Sequence, residues 1–363
     1  MAIDRKSNVE DYWSDCPALT NKFIKDTMPR QFYKKLQRYF HIMDPNETEE
    51  QSKDDPLAKV RDLLKHLLKQ CQDSYNLHQQ ISVDEAMVKC HAKHFGIFGA
   101  PNKPAKRSSK IFVVADGISG YLSSFEVYLR GKKEMGLTQH VVERLVQSIQ
   151  NRGHIVFVDK LYTSIPLALS LLDHKTYICG SFHTGRKFWP TDLKPDQRKS
   201  KKLDKVKELQ RGEALFRQSA DGKLVACVWK DKALVCNLTT CYPAVMSEVT
   251  RKTREKDGGW DQQQLSCPES IKEFNKYMGG VDRHDHLRSS YTLQRPSVKW
   301  WTYIAWFVVD VALTNGYIIM KANQPKMDHK KFQLNVSKAI KCCKTMHHHN
   351  LQFSLMHECF KFS

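Results

Sequence analysis

Three aspartates stand where side chains from separate elements can converge. Asp84 follows the run Ile81-Ser82-Val83, and Asp159 follows Ile155-Val156-Phe157-Val158. Asp282 follows Gly279-Gly280-Val281, with Asp285 three residues further on, which places both on one face of a helix. Carboxylates brought together repel one another, and burial worsens the repulsion. A hard divalent cation such as Mg²⁺ or Mn²⁺ relieves it through carboxylate oxygens. Two such ions, roughly 3.5–4 Å apart, can clamp the attacking and leaving oxygens of a phosphodiester. Any one of these acids also reads as a cap or a turn former. The order strand-Asp, strand-Asp, helix-Asp in a basic chain is the argument for metal-assisted chemistry on nucleic acid. Asp84, Asp159 and Asp282 are then the catalytic candidates, and the glycine pair before Asp282 permits a close backbone approach.

The elements that must position these acids can be read from periodicity. Residues 79–88 form a strand ending in acids, followed by a loop rich in Gly, Pro and Lys. Residues 111–117 and 121–128 form two strands joined across Gly117 to Gly120, a spacing that suits a hairpin. Thr138 to Gln150 is a helix with Val141, Val142, Leu145, Val146 and Ile149 facing inward. Ile155 to Asp159 is a short apolar strand, and Thr163 or Ser164 caps a helix with Pro166 in its first turn. The order strand, strand, strand, helix, strand, helix predicts an α/β layer with a mixed sheet.

Five regions follow. Residues 1–78 are expected to be a helical N-terminal region for dimerisation or DNA binding, with starts at Thr27-Met28-Pro29 and Asp55-Pro56. Phe32, Leu36, Tyr39 and Phe40 share a face of the first helix, and Val60, Leu63, Leu64, Leu67 and Leu68 form a core stripe on the second. Residues 79–182 are the first part of the core, 183–270 a basic insertion subdomain, and 271–322 the closing helices, the first from Ile271 to Arg288. Residues 323–363 are a basic tail containing Cys and His.

Charge narrows the partner. Lys and Arg total 58 against 39 acids, a net charge of +19, which points to a polyanion and first to double-stranded DNA. The excess is clustered: Lys89 to Lys110 carries six cations and no acid. Lys103, Lys106, Arg107 and Lys110 are expected to contact phosphates beside the acids, with Lys160 and Arg283 adding to the same surface. Eleven cysteines without a CxxC pair, and no apolar leader at Met1 to Lys6, predict reduced thiols in a cytosolic or nuclear protein. Trp300 to Met320 is long enough to span a bilayer. Asp310 in its middle would cost about 2.5–3.5 kcal/mol there, so a buried core helix is expected and no membrane partner.

At these residues the sequence resembles the piggyBac-type transposases. Ile81 to Met87 is similar to the family's first catalytic block, Phe157 to Leu167 to its second, and Phe274 to Asp282 to its third. Pro104-Ala105-Lys106-Arg107, Gly120-Tyr121 with Phe125 to Tyr128, and Lys299-Trp300-Trp301 match as well. The resemblance implies an RNase H-like mixed sheet with flanking helices, split by an insertion. It also implies a DDD metal site on Asp84, Asp159 and Asp282 with Asp285 in support, two Mg²⁺ or Mn²⁺ ions, a homodimer, a nuclear location, and cleavage and transfer of DNA strands at TTAA.

Two departures bear on activity. Lys160 stands where the family's second block has Asn, next to the metal position. Cys342, Cys343, His347, His348, His349 and Cys359 lack the paired CxxC spacing of the family's zinc module. Three readings therefore stay open: a transposase, a transposase-derived DNA-binding protein without catalysis, and a scaffold that uses the fold without DNA. The charge disfavours the third.

Overall fold

The computed structural model describes residues 2–44, 55–90, 97–99, 107–129, 137–195, 205–254 and 259–347. In chain order the helices are α1 (Lys22–Thr27), α2 (Arg30–Tyr39), α3 (Arg61–Asp73), α4 (Leu137–Val146), α5 (Ile165–Asp173), α6 (Lys205–Glu208), α7 (Glu269–Tyr277), α8 (Gly280–Ser290), α9 (Trp300–Asn323) and α10 (His329–His347). The strands are β1 (Gln80–Lys89), β2 (Ile97–Gly99), β3 (Arg107–Asp116), β4 (Leu122–Val127), β5 (Ile155–Val158), β6 (Tyr177–Ser181), β7 (Ala214–Gln218), β8 (Val225–Lys230), β9 (Leu234–Thr239), β10 (Met246–Arg254) and β11 (Trp260–Pro268). They fall into two compact units, Leu68–His286 and Met1–Leu67 with Leu287–Ser363.

The first unit is built on one mixed sheet. Among the described residues its strand order is β2-β3-β1-β5-β6-β9-β8-β7, with β4 also paired to β3. β5 is apolar at every position and wholly buried, as a strand covered on both faces must be. It runs parallel to β1 and to β6, and the chain reaches β6 through α5. Ser164 opens α5, its side chain accepting from the Leu167 N–H, as its sequence position predicts. One face of the sheet, with Ile81, Val83, Val156 and Val158, packs on Val141, Val142 and Leu145 of α4 and Leu167 and Leu171 of α5. On the other face Phe157 and Cys179 meet Phe274 and Tyr277 of α7.

Three expectations differ in detail. β1 does not end at its acids; β3 pairs with it as far as Lys89↔Ser108, which extends the strand beyond Asp84. The helix expected from Ile271 to Arg288 is two helices, α7 and α8, parted at Met278-Gly279. The segment 183–270 divides. β7 to β9 continue the central sheet, with β9 pairing along β6 at Cys179↔Thr239, while β10 and β11 form a separate two-stranded ribbon. A β6 edge left uncovered would expose its backbone groups to unwanted pairing.

In the other unit, α9 is long and apolar enough to cross a membrane by length and composition. Most of its residues are buried, including Asp310, whose carboxylate accepts from the Thr292 hydroxyl and the Leu293 N–H. The apolar face of α2 is exposed at Phe32, Leu36 and Tyr39, with Phe40 against the rings of Trp301 and Trp306.

Candidate active site

The parallel register of β1 and β5 brings the first two acids together. Val83 lies opposite Val158, and both side chains enter the core. The next residue on each strand turns to the other face. Those residues are Asp84 and Asp159, both half-buried. The Glu85 N–H donates to Asp84 Oδ1 at 2.8 Å. Burial nevertheless pushes the Asp84 carboxyl up to about 6, against that hydrogen bond and reinforced by the charges of Glu85, Asp282 and Asp159.

Asp159 sits in a fixed turn. Its carbonyl accepts from the Tyr162 and Thr163 N–H groups at 2.9 and 3.1 Å and from the Thr163 hydroxyl at 3.0 Å. Its carboxylate accepts from Ser181 Oγ at 2.7 Å. Between them, Gly180 leaves no room for a side chain: a Cβ there would lie 2.8 Å from the Val158 carbonyl oxygen and press into the Thr163 hydroxyl.

The third acid arrives on α8. Ser82 is two residues before Asp84 and shares its face. Its hydroxyl accepts from the Val281 N–H at 3.1 Å. A Cβ on Gly280 would collide with that hydroxyl and stand 2.7 Å from the Asp116 carbonyl oxygen, whereas one on Gly279 would meet nothing within 4 Å. The Arg283 guanidinium donates to the carbonyls of Gly117 and Ile118 at 2.9 and 3.1 Å, and the His284 ring donates to the Gly120 carbonyl at 3.1 Å. The first turn of α8 is thus fastened to the β3–β4 turn. Asp282 lies in that first turn, exposed, with Asp285 half-buried on the next.

Asp116 holds the turn itself. Its side chain is fully buried and accepts from the N–H groups of His78, Ile118 and Ser119 at 2.7, 2.9 and 2.7 Å, and from the His78 ring at 2.9 Å. Burial pushes this carboxyl up, but the donors from Ser119, His78 and Ile118 outweigh burial and hold it below the usual carboxylate range.

The donor set is hard oxygen throughout, and Asp84, raised first by burial and then by the neighbouring acids, carries a charge that a divalent cation would neutralise. The residues therefore fit such a cation by chemistry. By position they fit less closely: among the described residues no three acids, imidazoles or thiols stand near enough to share an ion as they are.

The expected DNA-contacting cations have different surroundings. Lys103 and Lys106 lie outside the described residues, as do the side chain of Arg107, the tail residues 348–363 and the side chains of Cys343 and His347. Lys110 bonds Glu85 at 2.7 Å and lies 4.8 Å above the Phe112 ring. Glu85 also accepts from the Tyr162 hydroxyl at 2.7 Å, tying β1 to the Asp159 turn. Arg283 is occupied by carbonyls. Lys160 is exposed in the turn after β5. Sequence reasoning missed Ser82, Ser181 and Asp116 as supports. Ser82 carried a signal, a small polar residue two positions before Asp84 in an otherwise apolar run.

Comparison with known proteins agrees with this architecture. Residues 1–317 match the family model described as Transposase IS4. The chain is 25% identical over 319 residues to PiggyBac transposable element-derived protein 2 of Homo sapiens, covering 84% of this chain and 51% of that one. It is 25% identical over 343 residues to the human PiggyBac transposable element-derived protein 3, covering 90% and 54%. It thus spans about half the length of these curated relatives. The cryo-EM structure of a piggyBac transposase synaptic complex with hairpin DNA superposes with a TM-score of 0.80 at 21% identity, over 97% of this chain and 70% of that one. That likeness carries the fold, an RNase H-like mixed sheet with flanking helices. The chain belongs to the Transposase IS4 family, and the relatives it matches are piggyBac-derived proteins.

Proposed function

We propose that this chain is a piggyBac-type transposase domain that cleaves and transfers DNA strands at TTAA sites. The observation that carries this reading is the β1–β5 register that sets Asp84 beside Asp159, with the Asp84 carboxyl raised first by burial and further by the charges of Glu85, Asp282 and Asp159. Asp84, Asp159 and Asp282, with Asp285, would hold Mg²⁺ or Mn²⁺, two ions in the full site. When bound, such ions stabilise charge on the attacking and leaving phosphodiester oxygens. Ser181 orients Asp159, and the β3–β4 turn orients Asp282. The net charge of +19 supports double-stranded DNA as the partner, and the superposed transposase was itself solved with hairpin DNA. Action as a homodimer in the nucleus belongs to the same proposal.

A second reading, DNA binding without cleavage, is favoured by one feature. Lys160 puts an exposed cation next to Asp159, where it competes with a divalent ion for that carboxylate. Excision of a TTAA-flanked reporter tests both readings, with Asp159→Ala and Lys160→Asn assayed beside the parent in Mg²⁺ and in Mn²⁺. The transposase reading expects excision by the parent and none by Asp159→Ala. Excision by Lys160→Asn alone would show an intact site limited by the lysine. Retained DNA binding with no excision by any form would establish the second reading.

A further inference from the structure

A polar cavity of about 360 Å³ lies at the end of the sheet opposite the aspartates. It is lined by His154, which precedes β5, whereas Asp159 follows it. The five steps between them span roughly 16 Å along the strand. The volume is at the small end of the range for small-molecule sites.

The floor contains two buried polar groups. Ser123, on β4, is 3% exposed, and its hydroxyl has no hydrogen-bond partner among the described residues. His154 is 8% exposed, and its Nδ1 lies 3.0 Å from the His78 carbonyl. A carbonyl only accepts, so Nδ1 carries the proton and Nε2 is left as an acceptor. In the wall, the Tyr75 ring is stacked on Tyr121 at 4.4 Å.

The rim carries one cation and one anion, Arg152 and Asp73. Arg152 is presented by a built turn. Asn151 and Gly153 on either side have φ of 61° and 76°, and their N–H groups donate to the carbonyls of His174 and Lys175 at 2.7 and 3.2 Å. A side chain held between two left-handed residues is displayed at a fixed place.

A ligand for this cavity must offer an anion to Arg152 and donors to Asp73 and to the His154 acceptor. It must also offer a flat face to Tyr75. Inorganic phosphate satisfies Arg152 but has little to offer Asp73. A nucleotide meets every requirement: phosphate at Arg152, sugar hydroxyls at Asp73, and the base with its polar edge on the floor. We propose that this cavity is a binding site for a single nucleoside monophosphate, free or as the 5′-phosphorylated end of a strand.

Calorimetric titration of the full chain tests this, using AMP, adenosine, inorganic phosphate and a 5′-phosphorylated single-stranded oligonucleotide as probes. Saturable AMP binding is expected, with adenosine and inorganic phosphate each weaker by about tenfold. Arg152 is on the exposed rim, so Arg152→Ala should keep its circular dichroism while weakening AMP by about tenfold. Asp84→Asn should leave AMP binding unchanged, which separates this cavity from the aspartate site. If Arg152→Ala also weakens the oligonucleotide, the strand end is the source; if it weakens AMP alone, the free nucleotide is. Absent AMP binding, AMP binding indifferent to Arg152→Ala, or inorganic phosphate binding as tightly as AMP would each overturn the proposal.

Discussion

Asp84 is half-buried and Asp116 fully buried, and their environments push the two carboxyls in opposite directions. Burial, reinforced by acidic neighbours and opposed by one backbone donor, raises the Asp84 carboxyl to about 6. Asp116 has four donors, and its carboxyl falls below the usual range despite burial. Their substitutions should therefore act with opposite sign. In metal-free buffer at pH 7, Asp84→Asn removes a repelled charge and should stabilise the protein by about 1–2 kcal/mol, read as a higher urea midpoint. A lower midpoint would refute the idea that this site stores repulsion. Asp116→Asn should destabilise by about 2 kcal/mol, because an amide NH₂ cannot accept from the donors aimed at it. A carboxyl lowered on folding contributes stability that is present above its unfolded value and lost as pH falls through its folded value. The gap between parent and Asp116→Asn should thus be full at pH 7 and narrow below about pH 4. A gap of constant size at pH 7 and pH 3 would show that the charge of Asp116 is not what holds the turn.

At the level of elements, the site depends on how closely α8 approaches β1. Gly280 sits against Ser82 and the Asp116 carbonyl, while Gly279 faces open space. Gly280→Ala should lift the helix start and destabilise the protein by about 1–3 kcal/mol, whereas Gly279→Ala should stay within about 0.5 kcal/mol. Chemical denaturation of the two variants checks this, and equal effects would mean that the close approach is not what fixes Asp282. The sequence announces a glycine pair and the need for a close approach; only the packed backbone tells which glycine makes it. Other elements were legible in proportion to how local their causes are. β5 could be bounded from its unbroken apolar run and the aspartate after it, and α5 from its serine cap and proline. The break between α7 and α8 was hidden because Ile271, Phe274, Met278 and Val281 keep helical spacing straight through it. The joining of β7 to β9 onto the central sheet was hidden because pairing β9 to β6 is a choice between strands more than fifty residues apart. The sequence supplied the cation Arg283, but its carbonyl partners come from a turn about 165 residues earlier.

For the whole molecule, the net charge of +19 sets the expectation of a salt-sensitive polyanion partner, yet counting cations overstates how many face it. Lys110 belongs to the basic run after Asp84, and its ammonium is bonded to Glu85, which in turn holds the Tyr162 hydroxyl. Lys160 is exposed beside Asp159 and carries no such bond among the described residues. Under the proposed function the two lysines should differ in a measurement that counts phosphate contacts. The affinity of a DNA-binding protein falls with log salt at about 0.9 per neutralised phosphate. Fluorescence anisotropy on a labelled duplex, repeated across a series of KCl concentrations, gives that slope. Lys160→Ala should reduce its magnitude by roughly one without altering sequence preference. Lys110→Ala should leave the slope as it is and instead lower the unfolding midpoint, because Glu85 then keeps a half-buried charge without its cation. If Lys110→Ala reduces the slope by one, its ion pair opens to meet phosphate and the cluster after Asp84 is a DNA surface, as its composition suggests. If Lys160→Ala leaves the slope unchanged while the parent binds DNA, the duplex does not pass over the Asp159 turn, and the aspartates are not where it is cut.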